Sequence, residues 1–118
     1  AAMSDMGKEV IGASGWSSLM FVVGATAPSE AARIRAIAPV SPFLVPGYGA
    51  QGGSAADALS GFRLTSNGVE GGLINASRSV LFPKDAESLA NSAWEAAIDA
   101  AIKAAQDDLA KAAEALQS

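Results

Sequence analysis

The sequence predicts an α/β fold in which about three parallel strands are covered by helices. Three short apolar runs supply the strands, at residues 19–23, 42–45 and 72 to 75 or 76. Runs without polar alternation are typical of strands covered on both faces, as in parallel sheets. The segments between these runs carry helical patterns, and strands that alternate with helices form a parallel sheet through right-handed crossovers.

The helix between the first two runs is predicted from one apolar face and two prolines. Its face is formed by residues three and four positions apart: Ala31, Ile34, Ile37 and Ala38. Pro28 lies where a first-turn proline is tolerated, and Pro39 ends the helix. Arg33 and Arg35 are expected on the solvated side of this helix.

A long second helix is predicted from Asp85 to about Gln117. Its apolar stripe runs at steps of three and four residues: Leu89, Ala93, Ala97, Ile98, Ala101, Ile102, Ala105, Leu109, Ala112 and Leu116. At ~1.5 Å per residue this helix would be ~50 Å long, so we expect its end to overhang the body of the protein or to break. A coiled coil is the alternative, but alanine dominates the stripe and few large side chains would fill the holes of a partner helix.

Composition and charge exclude several functions. Cysteine and histidine are both absent from the 118 residues, which removes disulfides, thiol nucleophiles, imidazole bases and the usual zinc ligands. The net charge is -4 and the eight Lys and Arg are scattered, which argues against a nucleic-acid partner. No apolar run approaches the ~20 residues that span a bilayer, so we expect a soluble, cytoplasmic protein that binds no membrane.

The second apolar run leads into a loop with the features of an anion site. Residues 47–53 contain four glycines and one amide side chain, that of Gln51. Glycine tolerates positive φ and lets backbone N–H groups approach a ligand closely. A short helix predicted over residues 54–60 points the favourable end of its dipole at this loop. The alternative is a plain turn that joins Val45 to this helix.

The third apolar run ends in a small residue followed by an arginine, Ser77-Arg78. The forked guanidinium of arginine suits an anionic phosphate. A glycine loop after one strand and an arginine after the next reproduce the phosphate site that (β/α)8 barrels build after strands 7 and 8. Such a barrel typically needs ~250 residues, so this chain would supply less than half of one.

Three motifs together carry a resemblance to a known family. They are Val23-Gly24-Ala25-Thr26, Pro46-Gly47-Tyr48-Gly49-Ala50-Gln51-Gly52-Gly53 and Asn75-Ala76-Ser77-Arg78. In this order and spacing they resemble the C-terminal part of orotidine 5′-phosphate decarboxylases, of the bacterial branch with longer chains, over residues 12–82. The resemblance implies that residues 1–118 form the C-terminal part of a single (β/α)8 barrel, with its strands 6–8 and final helix.

The resemblance also implies a reaction. Members of this family are lyases of pyrimidine biosynthesis that convert orotidine 5′-monophosphate to uridine 5′-monophosphate and CO2, without metal or cofactor. Their alternating Lys and Asp side chains come from earlier strands, in an Asp-x-Lys-x-x-Asp motif that this sequence lacks. We therefore expect no catalytic residue on this chain, activity only when the N-terminal half of the barrel completes it, and a homodimer of complete barrels.

The resemblance further assigns residues that bind the substrate. The expected phosphate ligands are Gln51, Gly52, Gly53, Ser77 and Arg78. Gln51 would also bridge to the edge of the pyrimidine. Pro46 and Tyr48 would form the walls of the base pocket, and the Tyr48 hydroxyl would lie within reach of the phosphate.

Two other functions are compatible with the sequence. One is a different phosphate-binding barrel enzyme, such as a ribulose-phosphate epimerase or a sugar-phosphate lyase, which shares the site after strands 7 and 8. The position of Gln51 and the Gly24-Ala25-Thr26 motif favour the decarboxylase. The other is a non-catalytic assembly module, which the missing Lys/Asp motif and the long alanine-rich helix would suit.

Overall fold

The computed structural model describes residues 2–84 and 90–118. Within these residues the helices are α1 (Ala2–Glu9), α2 (Pro28–Ile37), α3 (Ala55–Ala58), α4 (Ser77–Leu81) and α5 (Asn91–Gln117). The strands are β1 (Phe21–Val22), β2 (Phe43–Val45), β3 (Arg63–Thr65), β4 (Gly68–Glu70) and β5 (Gly72–Ile74).

The three predicted strands form one parallel sheet in the order β1-β2-β5. Phe21 is paired with Phe43, and Phe43 is paired with Gly72. α2 lies in the connection from β1 to β2, and α3 lies in the connection from β2 to β5. The predicted α/β fold, with three parallel strands and covering helices, is therefore confirmed.

The core lies between one face of this sheet and the helices. Phe43 and Val45 of β2 are buried there, together with Val23, which follows β1. Ala31 of α2 is buried in the same cluster, and Leu109 of α5 packs against it. Since successive strand residues point to opposite faces, the residues between these buried positions form the second face of the sheet.

That second face is open to solvent. Val22, Leu44 and Leu73 are paired in a row across the three strands. Val22 is 71% exposed and Leu73 is 63% exposed. Within the described residues Val22 and Leu73 are uncovered, so the cover on both faces that the apolar runs predict stays a prediction for strands beyond these three.

α2 matches its prediction in part. Pro28 occupies its first turn, and Ala31 and Ala38 are buried as expected. Ile37, expected on the same apolar face, is 59% exposed. It is the last residue of the helix, and the side chain buried at this end is that of the next residue, Ala38.

The expectation that Arg35 is solvated is wrong. Its guanidinium donates hydrogen bonds to the carbonyl oxygens of Gly61 at 2.6 Å, Ser41 at 2.7 Å and Gly71 at 2.8 Å. Ser41 lies between α2 and β2, Gly61 between α3 and β3, and Gly71 between β4 and β5. Arginine offers five donors in a fixed fork, so one side chain satisfies carbonyls that partial burial withdraws from water.

The connection that precedes β5 contains a hairpin beyond the three predicted strands. β3 and β4 pair antiparallel, with Thr65 opposite Gly68. The two residues between the strands, Ser66 and Asn67, form the turn, and Gly68 has a φ of 107°. An Asn-Gly pair at a short turn is a hairpin signal, so the sequence contained a sign of this element.

α5 is the predicted long helix, and it is 27 residues in length, or ~40 Å. The predicted start at Asp85 and the stripe residue Leu89 lie outside the described residues. Ala105, Leu109 and Ala112 of the stripe pack against the core. Across residues 2–84 and 90–118, no helix has the length and hydropathy to cross a membrane.

Candidate functional site

The carboxyl ends of the strands bring the predicted site residues to one edge of the sheet. Val45 is paired with Ile74 at the ends of β2 and β5, and the Asn75 amide donates to the Val45 carbonyl at 3.0 Å. The Ala25 amide donates to the Pro46 carbonyl at 2.8 Å. The segments that follow all three strands therefore start side by side.

The loop after β2 is closed by its own backbone. The Gly53 amide donates to the Gly47 carbonyl at 3.0 Å, and the Gly52 amide donates to the Gly49 carbonyl at 2.9 Å. Gly47, Gly49 and Gly52 have φ values of 95°, 72° and 94°, which other residues rarely adopt. The glycines are thus required by the path of the loop.

Gly53 is required for a different reason, because neighbouring atoms leave no room for a side chain. A Cβ added there would lie 2.7 Å from the Cβ of Ala25 and 2.7 Å from the carbonyl oxygen of Gly47. The glycine loop consequently packs directly against the end of β1.

A cavity of about 60 Å³ lies between this loop and the start of α4. Its lining consists of Pro46, Gly47, Tyr48, Ala50, Gln51, Asn75, Ser77 and Arg78. Five of the seven predicted binding residues are thereby brought together: Pro46, Tyr48, Gln51, Ser77 and Arg78. The remaining two, Gly52 and Gly53, do not line the cavity, and their amides donate within the loop.

The polar side chains of the cavity lie at definite positions in its wall. A Cβ added at Gly47 would lie 3.4 Å from Oε1 of Gln51, so the carboxamide folds back over this glycine. Ser77 Oγ donates to Oδ1 of Asn75 at 2.8 Å. Arg78, in the first turn of α4, is exposed at the rim. The cavity therefore combines an amide, a hydroxyl and a guanidinium.

The Tyr48 hydroxyl has a partner that the sequence did not predict. It donates to Oδ2 of Asp108 on α5 at 2.8 Å, and Tyr48 is only 8% exposed. Burial, together with this hydrogen bond and the charge of Asp108, raises the pKa of Tyr48 to about 12. The hydroxyl thus donates its hydrogen on the helix side, and its contact with a phosphate stays a prediction.

Sequence reasoning missed Asp108 and Asn75 at this site. Asn75 stands next to the Ser77-Arg78 pair, and its place at the strand end was a usable signal. Asp108 lies 60 residues from Tyr48 among other acidic residues of α5, so no local pattern could have selected it.

The fold and the position of these residues define the class of protein. A parallel sheet with a glycine loop and an arginine at adjacent carboxyl ends is a portion of a (β/α)8 barrel. A solved structure agrees with this class: the UMP synthase of Leishmania donovani superposes with a TM-score of 0.50 and 36% sequence identity, over 85% of this chain and 21% of that one.

Curated relatives identify the family in particular. The chain is 44% identical over 79 residues to orotidine 5′-phosphate decarboxylase of Clostridium perfringens strain SM101, covering 67% of this chain and 26% of the relative. The chain is 46% identical over 88 residues to the Halobacterium salinarum enzyme of the same name, which covers 75% of this chain and 30% of that relative. It is 36% identical over 103 residues to the Rhodopirellula baltica enzyme of that name, which covers 87% of this chain and 33% of the relative.

These comparisons confirm the resemblance found in the sequence: the chain is related to the orotidine 5′-phosphate decarboxylases. It spans about a quarter to a third of the length of the curated relatives described above. No family model matches the chain.

Proposed function

We propose that this chain is the C-terminal part of an orotidine 5′-phosphate decarboxylase barrel, with strands 6–8 and the final helix. In this proposal β1, β2 and β5 are those three strands. The chain binds the phosphate and the pyrimidine of orotidine 5′-monophosphate, and the complete barrel releases CO2 to form uridine 5′-monophosphate. The observation that carries the proposal is the cavity in which Gln51 and Arg78 meet.

The proposed phosphate ligands differ in whether their donor groups already have hydrogen-bond partners. The Arg78 guanidinium can form two parallel hydrogen bonds to phosphate oxygens, and its exposure at the cavity rim supports this role. Ser77 and Gln51 add polar groups beside it. Gly52 and Gly53 remain proposed ligands through their amides, and because both already donate within the loop, they would share or exchange those hydrogen bonds on binding.

The base pocket is proposed where Pro46 and Tyr48 line the same cavity. The side chains of these two residues would offer apolar walls to a flat heterocycle. The Gln51 carboxamide has one donor and one acceptor side, so it can bridge from the phosphate to the edge of the pyrimidine.

The open face and the two edges of the sheet support the proposal that further strands complete it. Its row of apolar side chains is open where Val22 and Leu73 are exposed, and its outer strands β1 and β5 each lack a second neighbour in the described residues. Natural proteins avoid such edges and patches. We propose that the N-terminal strands of the barrel cover this row and pair with both edges.

Catalytic groups would come with those strands. Neither Lys nor Asp lines the cavity, and Lys103, one of the four lysines, pairs with Asp107 on α5. The proposed division of labour assigns substrate binding to this chain and the alternating Lys and Asp side chains to the N-terminal half. Energy from binding the distant phosphate then holds the reacting groups in the geometry of the transition state. The homodimer of complete barrels is proposed from the resemblance alone.

Assembly followed by assay tests the proposal. The chain would be mixed with a polypeptide that carries strands 1–5 of a related decarboxylase, and the native mass and decarboxylation of orotidine 5′-monophosphate would be measured. We expect a one-to-one complex that is active, while each part alone is inert. The proposal fails if the complex forms, remains inactive and is stabilised against heat by sugar phosphates as well as by 6-azauridine 5′-monophosphate.

A further inference from the structure

The side chain of Tyr48 connects the glycine loop to the long helix. Tyr48 lies between Gly47 and Gly49, both with positive φ, and its ring is buried in the core cluster. Gly47 and Gly49 accept the hydrogen bonds that close the loop, and Tyr48 forms a bridge with Gly53. A displacement of Tyr48 would therefore move both ends of the loop.

The far end of this side chain is held by Asp108. The distance from the Tyr48 hydroxyl to Oδ2 of Asp108 is 2.8 Å. The residue after Asp108, Leu109, packs against the core, as does Ala105 one turn earlier. Because these contacts fix the helix against the sheet, the carboxylate has a defined position from which to hold the hydroxyl.

Tyr48 also connects two cavities. Tyr48 lines the small cavity with Gln51 and Arg78, and it lines a second cavity of about 590 Å³ whose wall includes Asp108. The same residue thus contacts the candidate binding site on one side and the helix on the other.

We propose that Asp108 is a positioning residue for the candidate phosphate site. It holds Tyr48, and Tyr48 keeps the glycine loop in the geometry that brings Gln51 beside Arg78. The ligand in this inference is the one in the proposed function, so this part of the inference rests on that function. The coupling between helix and loop does not depend on it.

Amide hydrogen exchange tests the coupling without any ligand. In the 118-residue chain, Asp108→Ala removes the acceptor at an exposed helix position where alanine is well tolerated, and Tyr48→Phe removes only the hydroxyl. We expect the Gly52 and Gly53 amides to exchange about tenfold faster in both variants, since a hydrogen bond to a charged group is lost. Asp107→Ala, which removes the adjacent exposed carboxylate, is the matched control and should leave both rates unchanged.

Ligand affinity tests the positioning role. For the chain assembled with the complementary strands, Asp108→Ala should weaken the binding of uridine 5′-monophosphate about tenfold. Asp108→Asn retains an oxygen that accepts from the hydroxyl, so it should restore the affinity to within about threefold of the wild type.

The possible results separate the two proposals. Wild-type exchange rates in Asp108→Ala overturn the inference, and so do faster rates with an unchanged affinity. If the unsubstituted complex binds no uridine 5′-monophosphate while the exchange rates respond as expected, the helix holds the loop and it is the proposed function that fails.

Discussion

The guanidinium carbon of Arg35 lies 3.9 Å from the centroid of the Phe43 ring. Phe43 is fully buried in the central strand, so this cation covers the edge of the core. Burial, and to a lesser extent the nearby charge of Arg63, lowers the pKa of Arg35 to about 10. Arg35 is thus still protonated at neutral pH, where it binds the carbonyls of three connections.

Replacement of Arg35 should destabilise the fold even when the charge is kept. Lysine lacks the planar fork, so Arg35→Lys leaves carbonyls such as those of Gly61 and Ser41 without donors. We expect the free energy of unfolding to fall by about 2–4 kcal/mol in urea titrations. Arg33→Lys, at an exposed position of the same helix, should have almost no effect. Equal stabilities of the two variants would contradict this role.

Loss of Arg78 should impair the assembled enzyme in both binding and turnover. A phosphate held by this guanidinium stabilises the transition state as well as the bound substrate, so Arg78→Ala should lower kcat/KM about 100-fold. Arg78→Lys keeps a point charge and should recover part of this loss. The control is Arg33→Ala. An unchanged kcat/KM in Arg78→Ala would remove Arg78 from the site.

A methyl group at Gly53 should disrupt the loop. Its Cβ would lie 2.7 Å from the Gly47 carbonyl oxygen and from the Cβ of Ala25, and such overpacking costs about 1–3 kcal/mol of unfolding free energy. At Gly24 the nearest atom to an added Cβ is Thr26 Oγ1, at 4.0 Å. Gly24→Ala should therefore stay within about 0.5 kcal/mol of the parent chain. Thermal or urea unfolding of both variants decides the matter.

A charge on the open sheet face should block assembly with the complementary strands. Leu73 is 63% exposed in this chain, so Leu73→Asp should leave its own fold intact. In the complete barrel the carboxylate would be buried without a partner, and we expect the complex to bind at least about 100-fold more weakly by native mass titration. Leu64→Asp, on the β3–β4 hairpin, is the control. Normal assembly of Leu73→Asp would show that this face is not the interface.

Alkaline pH should destabilise the chain through Tyr48. The pKa of Tyr48 in the folded chain is about 12, above the ordinary value of about 10, so the folded state retains the proton more tightly. Its contribution is complete below about pH 10 and is lost as the pH rises toward about 12. Tyr48 is the only tyrosine in the sequence, so phenolate absorbance reports this group directly. Tyr48→Phe should remove this part of the alkaline loss of stability, and a titration midpoint near 10 would contradict the buried hydrogen bond.

The strands and the glycine loop could be predicted because their signals are local. A short apolar run marks each strand, and Gly47, Gly49 and Gly52 lie where the backbone needs positive φ. The same locality brought Gln51 and Arg78 to neighbouring strand ends, since parallel strands place their carboxyl ends at one edge.

The side chains that act over long distances could not be predicted. Helical spacing put Arg35 on the outer side of α2, but a long side chain can fold back, and that of Arg35 places its guanidinium over the Phe43 ring. The Tyr48–Asp108 hydrogen bond joins residues 60 positions apart, and Asp107 fits the sequence pattern as well as Asp108 does. Only the packing of α5 against the sheet distinguishes the two carboxylates.

The hairpin turn at Ser66 and Asn67 has a practical consequence. Both residues are exposed, and the hairpin leads into the amino end of β5, whereas the glycine loop follows the carboxyl end of β2. A cysteine introduced at Asn67 would be unique, because the chain has none of its own. A fluorophore attached there would report the slower tumbling of the chain when other strands bind, from a point remote from the pocket.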